Sequence, residues 1–154
     1  MSLAAVRRVL ESYADRGVFR AFVEEAPRRG RHRFRFVWLK REPMVLTYET
    51  ARETVAFPAL LEGVAPCSPV WTDVRRFLAE RTSRSLPPHR RIDPERIEIR
   101  CTHRKSAVSI GLRAKRGGSS YAARRLVNLV HELFVMLRQA HPEYDWAHLD
   151  GSRE

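Results

Sequence analysis

Cysteine is scarce in this chain of 154 residues: Cys67 and Cys101 stand far apart and belong to no Cys-x-x-Cys or Cys/His grouping. That spacing excludes a zinc ribbon and a disulfide framework, so both thiols are read as small buried hydrophobes. Long apolar runs are missing as well. The most apolar window, LVNLVHELFVML, is interrupted by Asn128, His131 and Glu132, and it is too short and too polar to span a bilayer. Near the start, Arg7, Arg8, Glu11 and Asp15 break MSLAAVRRVLESYADR before it could serve as a signal peptide. The expected location is cytoplasmic.

Signatures of catalysis are equally sparse. There is no Gly-x-Ser-x-Gly elbow, Walker loop or Gly-x-Gly-x-x-Gly turn. The fragment HELF at His131 and Glu132 begins like a zinc-protease motif, but position 135 is Val where the second ligand would sit one helical turn on. Gly117 and Gly118 in RGGSS lack the spacing of a phosphate loop; the free N–H groups there, beside Lys115 and Arg116, form at most a weak anion site, and a satisfied cap is expected. No catalytic, metal or cofactor residues are therefore assigned, and no cofactor is expected.

Acidic residues are absent from three windows, residues 26–41, 81–91 and 99–131, and this is the most organised signal in the chain. Overall, 29 Lys and Arg stand against 18 Asp and Glu, a formal charge of +11 with a sequence pI near 10.9. Such a surplus attracts anionic surfaces within a Debye length of about 8 Å in physiological salt. Arginine dominates the count, an excess that a GC-rich genome could produce with no functional selection.

Hydrophobic periodicity sets the elements. Leu3, Val6, Val9, Leu10 and Tyr13 recur at helical spacing from a Ser2 cap to a Gly17 stop. VFRAFVEEA and RHRFRFVWL flank the turn PRRGR as a hairpin. In the second run, Phe34, Phe36 and Trp38 alternate with Arg33, Arg35 and Val37, which predicts a strand with one face in the core and one in water. PMVLTYE continues the meander with Met44, Leu46 and Tyr48 inward, and ARETVAF follows as a fourth strand or an irregular edge. Pro58, Gly63, Pro66 and Pro69 then mark a loop. Ser68 and Pro69 open a helix with Val70, Val74, Phe77 and Leu78 as its buried stripe. The Pro-rich segment 83–94 is expected to be a mobile loop. Next come ERIEIRC and SAVSIGLR, with Ile97, Ile99 and Cys101 and then Val108, Ile110 and Leu112 inward around a THRK turn. A long helix runs from about Ser120 to Gln139; it sets Arg124, Asn128, His131 and Arg138 on one arc, with Arg125 and Glu132 near its edge.

These elements predict a single α+β domain over 1–154, its tail partly irregular from about 142, although Tyr144 and Trp146 there could dock on the body. The architecture is two-layer: an antiparallel sheet of five to six strands with helices on one face, in the order α-β-β-β-(β)-α-β-β-α. That order resembles the type III secretion chaperone-like fold. The resemblance implies such a sheet but no ligand, because chaperones of that class are generally acidic and this chain is basic.

The expected function is a small binding or adaptor module without catalytic activity, engaging a protein partner or a second copy of itself through a sheet edge or the second helix. The alternative is nonspecific binding of nucleic acid or another polyanion through clustered arginines. A third, an uncharacterised enzyme, rests only on His89, His103 and His131 beside basic residues. Candidate anion or nucleic-acid contacts are Arg28, Arg29, Arg31, Arg33, Arg35, Arg90, Arg91, Arg100, Arg104, Lys105, Arg113, Arg124 and Arg125. Reading of bases by the sheet is not expected, because its rings point away from its arginines, while Glu49 and Glu98 are placed to pair with them across strands.

Overall fold

A computed structural model of the chain describes residues 2–115 and 117–144. Helix α1 (Ser2–Asp15) buries Val6, Val9 and Leu10, and Gly17 ends it at φ +79°, a conformation glycine adopts without strain. Strands β1 (Arg20–Arg28), β2 (Arg31–Val37), β3 (Met44–Glu49) and β4 (Thr54–Leu61) follow as a meander. Helix α2 (Pro69–Glu80) starts at Ser68, whose side chain accepts from the Trp71 backbone N–H, with Pro69 in the first helical turn. Strands β5 (Ile97–Arg104) and β6 (Ala107–Ala114) form a hairpin, and α3 (Ser119–Ala140) closes the described chain. The sheet is antiparallel with strand order β1-β2-β3-β4-β6-β5.

One face of this sheet carries the core. Phe34 and Phe36 on β2, Leu46 and Tyr48 on β3, Val55 and Phe57 on β4, and Ile110 and Leu112 on β6 are all buried on the helix side. Phe19, just ahead of β1, stacks on Phe36 with ring centroids 3.9 Å apart, and Phe57 meets Phe36 edge-on. The long α3 completes the layer with Leu126, Val130, Leu133 and Leu137 fully buried. Each such side chain contributes about 1.5–3 kcal/mol by leaving water. Leu129 is buried as well.

Several expectations need correction. Of the two readings of ARETVAF the fourth strand holds, over residues 54–61, and it is interior because β6 pairs with β4 on the side away from β3. Pro58 therefore lies inside a strand; it sits where the β4–β6 register shifts between Phe57 and Leu61, a bulge that tolerates a missing N–H. The β5–β6 turn is Lys105–Ser106, both at positive φ, its centre two residues later than that of THRK. Cys67 is exposed and Cys101 only half-buried, since the first lies in an open loop and the second on an edge strand. Segment 83–94 is tied to the body: Ile92 is buried and its N–H donates to Arg81 O at 2.7 Å. Tyr144 packs against the core and donates its hydroxyl to Glu62 O, while Trp146 lies outside the described residues.

Two outcomes follow. A Cβ at Gly111 would meet the Ala56 Cβ at 2.9 Å and the Val55 carbonyl at 3.0 Å, so Gly111→Ala should cost about 1–3 kcal/mol in chemical denaturation, and adding Ala56→Gly should recover part of it. The Arg7 guanidinium of α1 grips Glu24 of β1 at 2.7 and 2.8 Å and, chiefly through that hydrogen bond, holds the Glu24 carboxyl below its ordinary value. Stability from this pair is present above the unfolded carboxyl value and lost as pH falls through the lower folded one. Arg7→Met should therefore flatten the acid limb of a Tm-versus-pH curve, by less than about 1 kcal/mol because both groups are one-third exposed.

Candidate functional site

The uncovered face of the sheet answers where the arginines go. Cross-strand register sets Glu25 opposite Arg33, Glu49 opposite Arg31, and Glu98 opposite Arg113. Side chains that face one another in this way pair readily. Glu25 holds Arg33 at 3.2 Å and Arg35 at 3.0 Å, Glu49 holds Arg31 at 3.8 Å, and Glu98 lies 3.6 Å from Arg100 and 3.9 Å from Arg113. Glu25 was not foreseen as a partner, because irregular register in β1 between Arg20 and Val23 changes which of its residues reach this face.

Along the middle of the sheet these arginines stand in separate groups: strands β2 and β5 are four spacings apart, about 19 Å, with Arg113 of β6 one spacing nearer and sharing a hollow with Arg52 and Lys115. The strip between them is Thr47, Ala56 and Gly111, neighbours in register. Among the described residues of the sheet, no aromatic ring shares this face with the arginines; the rings lie on the helix side. Arg28 and Arg29 sit at the exposed tip of the β1–β2 hairpin, and Arg104 and Lys105 are exposed at the β5–β6 turn.

The remaining predicted contacts lie on the other side of the molecule. Arg124 is exposed on α3, Arg125 donates to the carbonyls of His89 and Pro88, and its guanidinium lies over the Tyr121 ring. Arg91 lines an open hollow of about 490 Å³ with Arg84, Asp93, Glu95 and Tyr121. Glu132 of the HELF fragment is held by two arginines, Arg81 at 2.8 Å and Arg90 at 3.0 Å. Arg81 is only 5% exposed, and burial pulls its guanidinium below the ordinary arginine value against the opposing attraction of Glu132. Its burial is legible in hindsight: it extends the Val74, Phe77, Leu78 stripe by one turn. At the start of α3 the expected satisfied cap is not found, since Gly118 brings no side chain to the first turn; the Ser119 hydroxyl donates to Glu53 Oε1 at 3.1 Å, which sets a carboxylate beside that turn.

A different surface carries backbone chemistry: the free edge of β5. Arg96 O accepts from Lys115 N at 2.8 Å, and Arg104 pairs with Ala107 across a two-residue turn, so the even-numbered residues of β5 bond to β6. The N–H and C=O groups of Ile99, Cys101 and His103 therefore point to the outer edge. Pairing with β6 has no register shift. The opposite edge, β1, contains Pro27, Ala21 at φ +54° and two register shifts, the usual devices that keep an edge from pairing. Beside β5, an open groove of about 460 Å³ is lined by Leu78 and Ala79 of α2, Ile99 and Cys101 of β5, with Arg75 and Thr82 at its border. Burial pushes the Cys101 thiol up to about 11, so it stays protonated at neutral pH and serves as lining. Trp71 of α2 stacks on His103 at 4.8 Å, and His103 Nε2 lies 2.6 Å from Val64 O, which fixes the lower end of the groove.

Among the described residues, no helix is long and apolar enough to cross a membrane. No family model, curated protein or solved structure matches the chain.

Removing the Glu132 carboxylate leaves the buried Arg81 without its ion partner. Glu132→Ala should cost on the order of 2–3 kcal/mol in urea unfolding, below the usual loss for a fully buried pair because Glu132 keeps a quarter of its exposure.

Proposed function

We propose that this chain is a protein-binding module that accepts an extended segment along the edge of β5, on a plan similar in element order to the type III secretion chaperone-like fold. The observation that supports this reading is the pairing of an unblocked backbone edge with an open groove beside it, lined by Leu78, Ala79, Ile99 and Cys101 together with Arg75 and Thr82. Main-chain hydrogen bonds to Ile99, Cys101 and His103 would supply affinity, and alternate side chains of the incoming strand would enter the groove. Charge selects the partner. Arg75 borders the groove, and Arg100 and Arg104 project from β5, whose one acidic residue is Glu98. An acidic, apolar-alternating segment complements this edge. A second copy also satisfies it: antiparallel pairing centred on Cys101 would set Glu98 of each chain opposite Arg104 of the other.

A second reading is polyanion binding. Its support is that Glu25, Glu98 and Glu132 are each shared by two guanidiniums, which leaves positive charge and free donors at three places.

A short peptide alternating Glu with Val should bind the protein in isothermal titration calorimetry and slow alkylation of Cys101, while Cys67 labelling is unchanged. Ile99→Pro removes an outward N–H and no bond to β6, so it should abolish binding with circular dichroism preserved. Sedimentation velocity distinguishes self-pairing, seen as a dimer that Ile99→Pro dissociates. Absence of both peptide binding and a proline-sensitive dimer rejects the reading. Fluorescence anisotropy with oligonucleotides at two salt concentrations tests the second: binding that weakens with salt and persists in Ile99→Pro supports it.

A further inference from the structure

The chain has three lysines, Lys40, Lys105 and Lys115, against twenty-six arginines, and they occupy different environments. Lys105 and Lys115 are exposed, whereas Lys40 is half-buried. It lines a cavity of about 180 Å³ with Glu42, Met44, Phe57, Pro58 and Glu62. The local backbone is unusual on both sides: Leu39 has φ +53° and Ala59, in the β4 bulge, φ +51°. Non-glycine residues held there cluster at functional sites.

The amine is loosely held. Its Nζ donates to Ala59 O at 3.4 Å, beyond the usual hydrogen-bond range, and it makes no ion pair within 4.0 Å among the described residues despite two glutamates lining the same cavity. Burial holds the Lys40 ammonium below the ordinary lysine value, against the raising effect of Glu62 and Glu42. Further charged groups near this turn are Arg41, next in the chain, and Arg138 of α3, which donates Nη2 to Leu39 O at 3.5 Å.

We propose that the Lys40 cavity captures a small neutral aldehyde as an imine. The Nζ lone pair attacks the carbonyl carbon and forms the C–N bond, and the C=O π pair moves to oxygen, which takes a proton. The resulting carbinolamine loses that oxygen as water and becomes the C=N imine, so amine and aldehyde give imine and water with no oxidant or reductant. Glu62 and Glu42 are placed to carry the protons. Their negative charge disfavours a keto acid. A cavity of this volume matches one that accommodates a ring the size of benzene, which sets the size class.

Propanal with sodium cyanoborohydride at neutral pH, followed by peptide mapping, tests the site. The cavity holds the aldehyde beside an amine whose charged form burial disfavours, so Lys40 should gain propyl adduct severalfold faster than Lys105 or Lys115. In urea the three rates should converge. Lys40→Arg should lose only that adduct and keep its circular dichroism spectrum. The comparison among lysines in the unaltered protein decides the matter even where the variant misfolds. Equal or slower labelling of Lys40 overturns the proposal, as does preference for pyruvate over propanal.

Discussion

The pleat of the sheet is the constraint on which the rest of this structure depends. Successive side chains on a strand project to opposite faces, and only one face is covered by helices. Phe34 and Phe36 go under that cover while Arg33 and Arg35, one residue away, stay in water. The same rule separates Ile99 and Cys101 from Arg100, and Leu112 from Arg113. A shift of one residue in any of these strands would bury guanidiniums and expose rings, so register is strongly fixed.

From that separation comes the arrangement of charge. Arginines confined to one side of a sheet stand close enough to repel, and the carboxylates opposite them relieve the repulsion. Glu25, Glu49 and Glu98 do this on the open face, and Glu132 does it on the helix side. Exposed pairs of this kind contribute little to stability. Their effect among the described residues is to set carboxylates between guanidiniums and so break up the positive charge locally.

The two ends of the sheet differ for a related reason. β1 must leave α1, pass under Phe19 and present Glu24 to Arg7, and it is irregular along its length. β5 only pairs with β6 and is regular throughout. One edge is consequently blunted and the other is regular and open, and on this asymmetry the proposed partner site rests.

Much of this was legible in the amino-acid order, because alternation and helical spacing are local. The order of elements, the inward rings of β2 and β3, the Ser68–Pro69 start of α2 and the exposed Arg124, Asn128 and His131 of α3 all follow from neighbours within a few residues. What tertiary structure decided were relations across long sequence separation. Glu25 became the partner of Arg33 and Arg35 through an irregular pairing, the strand with Pro58 became interior because β6 returned beside it, and Cys67 stayed in water while Arg81 and Lys40 left it. Period and propensity act over one or two turns of chain, whereas burial of a lone charge and the choice of a free edge depend on which distant strand or helix arrives alongside.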